Sequence, residues 1–337
     1  MTDDQLIDLF LEELRHNRGR AKLTIEKYRQ LLVRLERSLA AKGKRLVDAT
    51  SEDLTAFCGI DAHVARISPR SRRPMVAAVR VFYAWLARKH IVREDIGAAL
   101  TYPDAGVKYP GVLSVSNAER LMMAPDVNTF LGLRDAAIIA VVLGCGLRAS
   151  EVVGMNQGDL QFCGHDGREV LDIIVRGKRN RERIVPAPPE VWALVRAYLG
   201  HDALDKIDRS LKNGDAVLFI STRNGRVSLA NYFGERRRLN RRAVFQIFDR
   251  YARRLGIPKG ERHPHAARHR FATELAEGGA SLDEIRTALG HSSISTTQIY
   301  LHLAMRKRRE TIERANPLAK VRTPVTELVR SLSRKRL

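Results

Sequence analysis

A mainly α-helical chain with one small β-sheet, divided into a helical bundle and a larger mixed α/β domain, is the fold class that three features of the sequence predict. Apolar residues recur at helical spacing through the first hundred positions, and a proline- and glycine-rich stretch from Thr101 to Gly111 without any apolar period interrupts them. Beyond it a single alternating hairpin pattern stands among further helical repeats. The 337 residues suffice for two domains, and 44% hydrophobic residues are enough to fill their cores, which excludes a disordered or fibrous chain.

In the first domain Leu6, Leu9, Phe10 and Leu14 mark one helix, Ile25 to Leu39 a second and Val79, Phe82, Trp85 and Leu86 the last. Thr24 is placed to cap the second helix, Gly43 to end it and Ser51 to open a short third one. Pro74 is assigned to the first turn of the last helix, because an interior proline would kink it. Four or five helices and no sheet are expected over residues 1–102, with a linker at 103–112.

The second domain, 113–315, opens with the capping-box spacing Ser116-Asn-Ala-Glu119. A buried helix follows at Ala136–Leu143, then a hairpin of Val170–Val175 and Arg183–Val185 around Gly177, and a short strand at Val217–Ile220. Later helices are expected near 241–255, 264–277, 281–289 and 295–301, the last two opening on Ser281-Leu-Asp-Glu284 and Ser295-Thr-Thr-Gln298. The stretch 202–240 has little pattern and is assigned in part to a long loop. The tail 316–337 carries an amphipathic piece, Val325 to Leu332, too short to stand alone in water, so it must pack on its own body or on a neighbour.

Lys and Arg number 59 against 38 Asp and Glu, a net charge of +21, so the partner is a polyanion: nucleic acid or an anionic membrane. No apolar run reaches the length of a membrane span or a secretory leader, and a cytoplasmic protein is expected. Cys58, Cys145 and Cys163 form no CxxC pair and indicate neither a disulfide framework nor a zinc site; reduced, mostly buried thiols are expected.

Four segments could carry chemistry, and each also has an ordinary structural reading. In Arg262-His-Pro-His-Ala-Ala-Arg-His-Arg270, His265 and Arg268 share a helix face and could grip a phosphate, or belong to a basic surface helix. Arg148, after the turn Gly144-Cys-Gly, opens a helix with Glu151 three residues on, as a phosphate pocket or a plain ion pair would. Lys178, with Arg179 and Arg181, sits at the hairpin tip, where nonspecific phosphate contact is the simpler account. His291 ends one helix and Tyr300 lies in the next, a position more often given to half-buried packing. What outweighs the separate ordinary readings is their joint occurrence in order: Arg148, Lys178, His265 with Arg268, His291, then Tyr300.

This ordered set resembles the tyrosine recombinase/integrase family, and the layout is similar to Xer-type recombinases and simple mobile-element integrases. The motifs GLRxSE, HxxRH and LGHSS with a trailing tyrosine cover the second half, whereas the first domain is matched by position and helical pattern alone. The resemblance implies a SAM-like core-binding domain and a catalytic domain closing as a C-shaped clamp around DNA. It implies that Tyr300 attacks the scissile phosphate to give a 3′-phosphotyrosine and a 5′-hydroxyl. Arg148 and Arg268 would neutralise the nonbridging oxygens, Lys178 protonate the leaving oxygen, His265 exchange a proton with the tyrosine, His291 bond the phosphate and Glu151 buttress Arg148.

No metal or other cofactor is expected. The implied partner is double-stranded DNA with paired inverted half-sites, on which the chain assembles to a tetramer through a Holliday junction, with a second recombinase or accessory protein as a further partner and no membrane. A type IB topoisomerase-like relaxase and a noncatalytic DNA-binding module are the alternatives. Arg70, Arg72 and Arg73 in the first domain, and Arg236, Arg237, Arg238, Arg241 and Arg242 in the second, are candidate DNA contacts. Ala266 and Ala267 stand where many relatives carry bulkier residues, which predicts looser local packing.

Overall fold

The computed structural model describes residues 1–16, 22–106, 111–165, 168–177 and 182–290. The chain divides into two compact units, Met1–Lys108 and Tyr109–Leu337.

The first unit is built from α1 (Asp3–His16), α2 (Lys22–Ala40), α3 (Ser51–Ala56), the one-turn α4 (Ala62–Val64) and α5 (Pro69–Arg88), with a π-type turn at Phe57–Asp61 between α3 and α4. Its described residues form no strand. The apolar faces of α1, α2 and α5 meet in one core in which Leu32, Leu35, Phe82 and Leu86 are fully buried and Phe10 packs edge-on against Phe82 at 5.2 Å. Because Trp85 enters that core beside an acid, its indole N–H donates to Glu13 Oε2 at 2.9 Å.

Two sequence expectations need correction here, whereas Ser51 does open α3. Thr24 lies inside α2, which starts by Lys22, so it caps nothing. The cap of α3 is Thr50, one residue before Ser51; its hydroxyl accepts from the Asp53 amide, and the Asp53 carboxylate accepts from the Thr50 amide. Pro69, not Pro74, holds the first turn of α5, behind the Ser68 cap, and Pro74 lies inside the helix one turn later. Gly43 does sit where the chain leaves α2, at φ +69°.

In the second unit α6 (Val115–Met122) and α7 (Phe130–Cys145) precede α8 (Ala149–Gly154). An antiparallel sheet follows, β1 (Leu160–His165), β2 (Arg168–Arg176) and β3 (Glu182–Ala187), in the order β1-β2-β3. Then come α9 (Pro189–Leu199), the single turn α10 (Asp202–Asp205), α11 (Arg241–Arg254), α12 (Pro264–Glu277) and α13 (Leu282–Leu289). The central α7 is apolar all round, and its one charged pair, Arg134–Asp135, is buried. Asp135 accepts from Arg134 Nη2 (2.7 Å), Arg250 and the Tyr251 hydroxyl (3.2 Å).

The cap of α6 is Ser114, which accepts from Asn117 N–H, so the Ser116–Glu119 box does not form. Its reciprocal carboxylate comes from across the fold: Glu261 accepts from the Ser114 amide at 3.1 Å and from the Asn117 side chain at 3.0 Å. Val217–Ile220 is fully buried but forms single bridges rather than a ladder strand. Side chains take carbonyls a partner strand would use, through Arg209 to Val217, Tyr198 to Leu218 and Arg134 to Ile220. Strand β1 and helix α9 had no counterpart in the sequence reading. Cys163 on β1 is exposed, unlike Cys58 and Cys145. Ala266 and Ala267 are wholly buried in the core, so their small size is what this packing uses.

Candidate active site

The site begins where α7 ends. Gly146 takes φ +63°, and a Cβ there would lie 2.3 Å from the Phe271 ring, so only glycine makes this turn. Two residues later Arg148 holds the N-cap position of α8, and the third helical residue, Glu151, reaches back to accept from its backbone N–H at 2.9 Å. The same carboxylate accepts from Arg148 Nη1 at 2.7 Å, while Arg148 Nη2 donates to the Gly290 carbonyl at 3.1 Å. The Arg148 side chain is 32% exposed, against 5% for Glu151.

From the other side α12 delivers Arg268. It is buried, donates to the carbonyls of Gly146 and of Leu289 (2.5 Å), and lies 3.8 Å from Glu151 Oε2. His263 caps α12 by accepting the Ala266 amide on Nδ1 at 3.0 Å, and Pro264 holds the first turn. This sets His265 on the outward side of the helix start, its ring edge-on to Phe245 at 5.9 Å.

The electrostatics follow from that crowding. Burial alone raises the Glu151 carboxyl, but the hydrogen bonds and charges of Arg183 and Arg148 outweigh it, and the group titrates below the usual carboxylate range. His265 is held below the ordinary imidazole value by desolvation first and then by His263, Arg268, Arg148 and Arg241. It is therefore neutral near pH 7 and able to take up a proton. His269, one turn further into the protein, is pushed down to about 4, chiefly by burial.

Arg148, Glu151, His265 and Arg268 are thus brought together. Lys178, Arg179, Arg181, His291 and Tyr300, and the tail 316–337, lie outside the described residues. Among the described residues no group of His, Cys, Asp and Glu could hold a metal, and no helix is long and apolar enough to cross a membrane.

One member of the cluster was missed. Arg183 on β3 is 13% exposed and forks onto Glu151, with Nη1 to Oε1 at 3.1 Å and Nη2 to Oε2 at 2.9 Å. The signal was the strand period: Arg183 and buried Val185 share a face while Ile184 between them is exposed, so an inward arginine demanded an acid.

The remaining candidate arginines divide by what they touch. Arg70 is exposed at the start of α5. Arg72 is tied to the carbonyl of Ile67 (2.9 Å) and to His63, and Arg73 to that of Pro103 (3.2 Å) with Tyr102 under it. Arg238 is a clasp, bonding Glu235, Asn156 and the carbonyls of Val153 and Met155. Arg237 stacks on Tyr232 at 4.0 Å. Arg236, Arg241 and Arg242 line, with Arg223 and Arg226, an open basin of about 1040 Å³ beside Phe245.

Two family models match the chain, the phage integrase family over residues 112–307 and the phage integrase N-terminal SAM-like domain over 7–90. The tyrosine recombinase XerD of Ralstonia nicotianae is 32% identical over 90% of this chain and 92% of its own. That of Yersinia pestis is 31% identical over 94% and 99%. Among solved structures, the fold is that of a XerH site-specific recombinase bound to palindromic difH substrate (TM-score 0.68, 17% identity, 94% of this chain and 85% of that one). It is also that of a lambda integrase dimer bound to a COC′ core site (TM-score 0.62, 16% identity, 89% and 77%).

Proposed function

The chain belongs to the phage integrase family, and from that premise we propose that it is a tyrosine-type site-specific DNA recombinase that cuts and rejoins strands through a covalent phosphotyrosine. The observation that carries the reading is the meeting of Arg148 and Arg268 around one carboxylate, with His265 on the same helix as Arg268. Two guanidiniums from different helices can bond the two nonbridging oxygens of a phosphodiester as charge builds on the phosphorus. Glu151 fixes Arg148 in place before DNA arrives.

In this mechanism Tyr300 attacks the phosphorus and forms the P–O bond of a 3′-phosphotyrosine. His265 accepts the phenolic proton, and Lys178 donates one to the departing 5′-oxygen. Attack by a partner strand's 5′-hydroxyl expels the tyrosine and exchanges strands. Because the phosphoester energy is kept, no ATP is needed for rejoining.

The substrate is double-stranded DNA with paired inverted half-sites, and four copies act together, with a second recombinase or accessory protein as a further partner. Residues 1–102 serve as the core-binding domain, 113–315 as the catalytic domain, and the tail 316–337 docks on a neighbouring copy or its own body. Arg70, Arg241 and Arg242 contact phosphates, and the work is done in the cytoplasm on the nucleoid.

The test is a nicked duplex carrying the site that the chain selects from a randomised pool, incubated in EDTA and resolved on a denaturing gel. A protein–DNA adduct made by the unaltered chain and lost in Tyr300→Phe is expected. A bound duplex that yields no adduct, with or without added host recombinase, would refute the reading, and relaxation of supercoiled DNA lacking the site would favour a topoisomerase.

A further inference from the structure

We propose that Arg183 is a positioning residue for strand cleavage, which holds the phosphate-binding arginines in register through the shared Glu151 carboxylate and the end of α13. The inference rests on the recombinase reading above.

Three consecutive backbone carbonyls at the C-terminal end of α13 each accept a guanidinium from a different element. Ala288 takes Arg183 Nε at 3.1 Å, Leu289 takes Arg268 Nη2 at 2.5 Å and Gly290 takes Arg148 Nη2 at 3.1 Å. These are the carbonyls a helix end leaves without an internal partner, and they form the negative pole of its dipole. The same three arginines surround Glu151. Helix end and carboxylate together make a two-sided rack for three cations.

Arg183 is held more firmly than Arg148. Its Nε and both Nη atoms are each spent, one on Ala288 and two on Glu151, and its side chain is 13% exposed against 32% for Arg148. Gly290, at φ +61°, lies bare against it: a Cβ there would be 2.7 Å from Arg183 Nη1. Three guanidiniums against one carboxylate leave two positive charges. That surplus suits the charged oxygens of a pentacoordinate phosphate. Lysine cannot replace Arg183, since one ammonium does not span both Glu151 oxygens and Ala288.

The experiment compares the unaltered chain with Arg183→Lys on the pool-selected nicked duplex, under single turnover at saturating DNA, with thermal unfolding recorded in parallel. The duplex is used with its natural scissile phosphate and with a neutral methylphosphonate in its place, which removes one negative charge from the transition state. R183K should bind DNA within about twofold of the unaltered chain yet cleave the natural phosphate roughly tenfold to a hundredfold more slowly, as misplacement of a catalytic group does. On the methylphosphonate that deficit should shrink to about threefold or less, because one cation fewer is required. Glu151→Asp, which withdraws the carboxylate from the same fork, should show the same dependence on substrate and serves if R183K does not fold.

An equal deficit on both substrates would mean that Arg183 only supports the fold, and no deficit would mean that it does nothing for cleavage; either overturns the inference while the recombinase reading stands. Absence of an adduct from the unaltered chain removes both together.

Discussion

Replacing Glu151 with glutamine should destabilise the second unit by about 4 kcal/mol, although the side chain keeps its size. The carboxylate accepts four hydrogen bonds, two on Oε1 from Arg148 and Arg183 and two on Oε2 from the Arg148 amide and Arg183. Whichever way the glutamine amide turns, its NH₂ faces two donors. At ~1.5–3 kcal/mol for each bond to a charged group, two losses amount to about 3–6 kcal/mol. Removing the charge also deprives Arg183, which is 13% exposed, of its carboxylate, and breaking a buried pair in that way costs about 3–5 kcal/mol. Both routes meet near 4 kcal/mol, a large part of the ~5–15 kcal/mol of a typical domain.

The assay is urea denaturation followed by fluorescence and circular dichroism, with Trp85 in the first unit and Trp192 in the second as separate reporters. Asp249→Asn is the control, since it pairs with Arg253 at the surface, where such pairs are worth at most ~1 kcal/mol. A loss of less than about 1 kcal/mol in E151Q would refute the argument, because it would mean that water, not the carboxylate, satisfies the arginines.

Gly146→Ala should cost about 2–4 kcal/mol, read from the same denaturation, because a left-handed backbone and a Cβ 2.3 Å from Phe271 are imposed together; a shift within 0.5 kcal/mol, about the size of a neutral surface change, would contradict this. Alanine at Arg223, Arg241 and Arg242 should reduce the slope of log affinity against log salt by roughly 2–3 if the basin holds backbone phosphates, since each contact contributes about 0.9; an unchanged slope would exclude it. His269 has a folded value of about 4 against 6.5, so the unfolded chain takes up the proton first as pH falls. Its stabilising effect is complete above pH 6.5 and lost between 6.5 and 4. The melting temperature should fall over that window, and His269→Asn should flatten the fall; an equal slope in the variant would rule His269 out as the cause.

Helices with one wet face were legible because their period survives in the residues: α11 and α13 begin within a residue of where spacing and caps put them, and α12 begins at Pro264 as expected. Elements whose cues lie elsewhere in the fold were not. The box of α6 is completed by Glu261, which follows Ser114 by 147 residues, so local spacing pointed to Ser116 instead. Val217–Ile220 reads as a strand because it is apolar and extended, yet side chains satisfy its backbone. In the site, Arg148, Glu151, His265 and Arg268 were legible through their order along the chain. Arg183 was hidden in the run Arg176-Gly-Lys-Arg-Asn-Arg-Glu-Arg183, where charge density made every arginine look solvated. Only the register of β3 separates it from its neighbours.

The way these arginines are held bears on what they can do. An arginine buried among carboxylates is well placed but electrically spent, because its partners cancel the charge a phosphate would need. Arg268 donates to two neutral carbonyls, of Gly146 and Leu289, and the nearest oxygen of Glu151 lies 3.8 Å away. Carbonyl dipoles orient a guanidinium without neutralising it, and a helix end supplies several in a row at no cost to its own ladder. A second carboxylate in place of the α13 terminus would hold the same geometry and leave only one positive charge. Using the end of a helix lets this fold pack three arginines side by side against a single carboxylate.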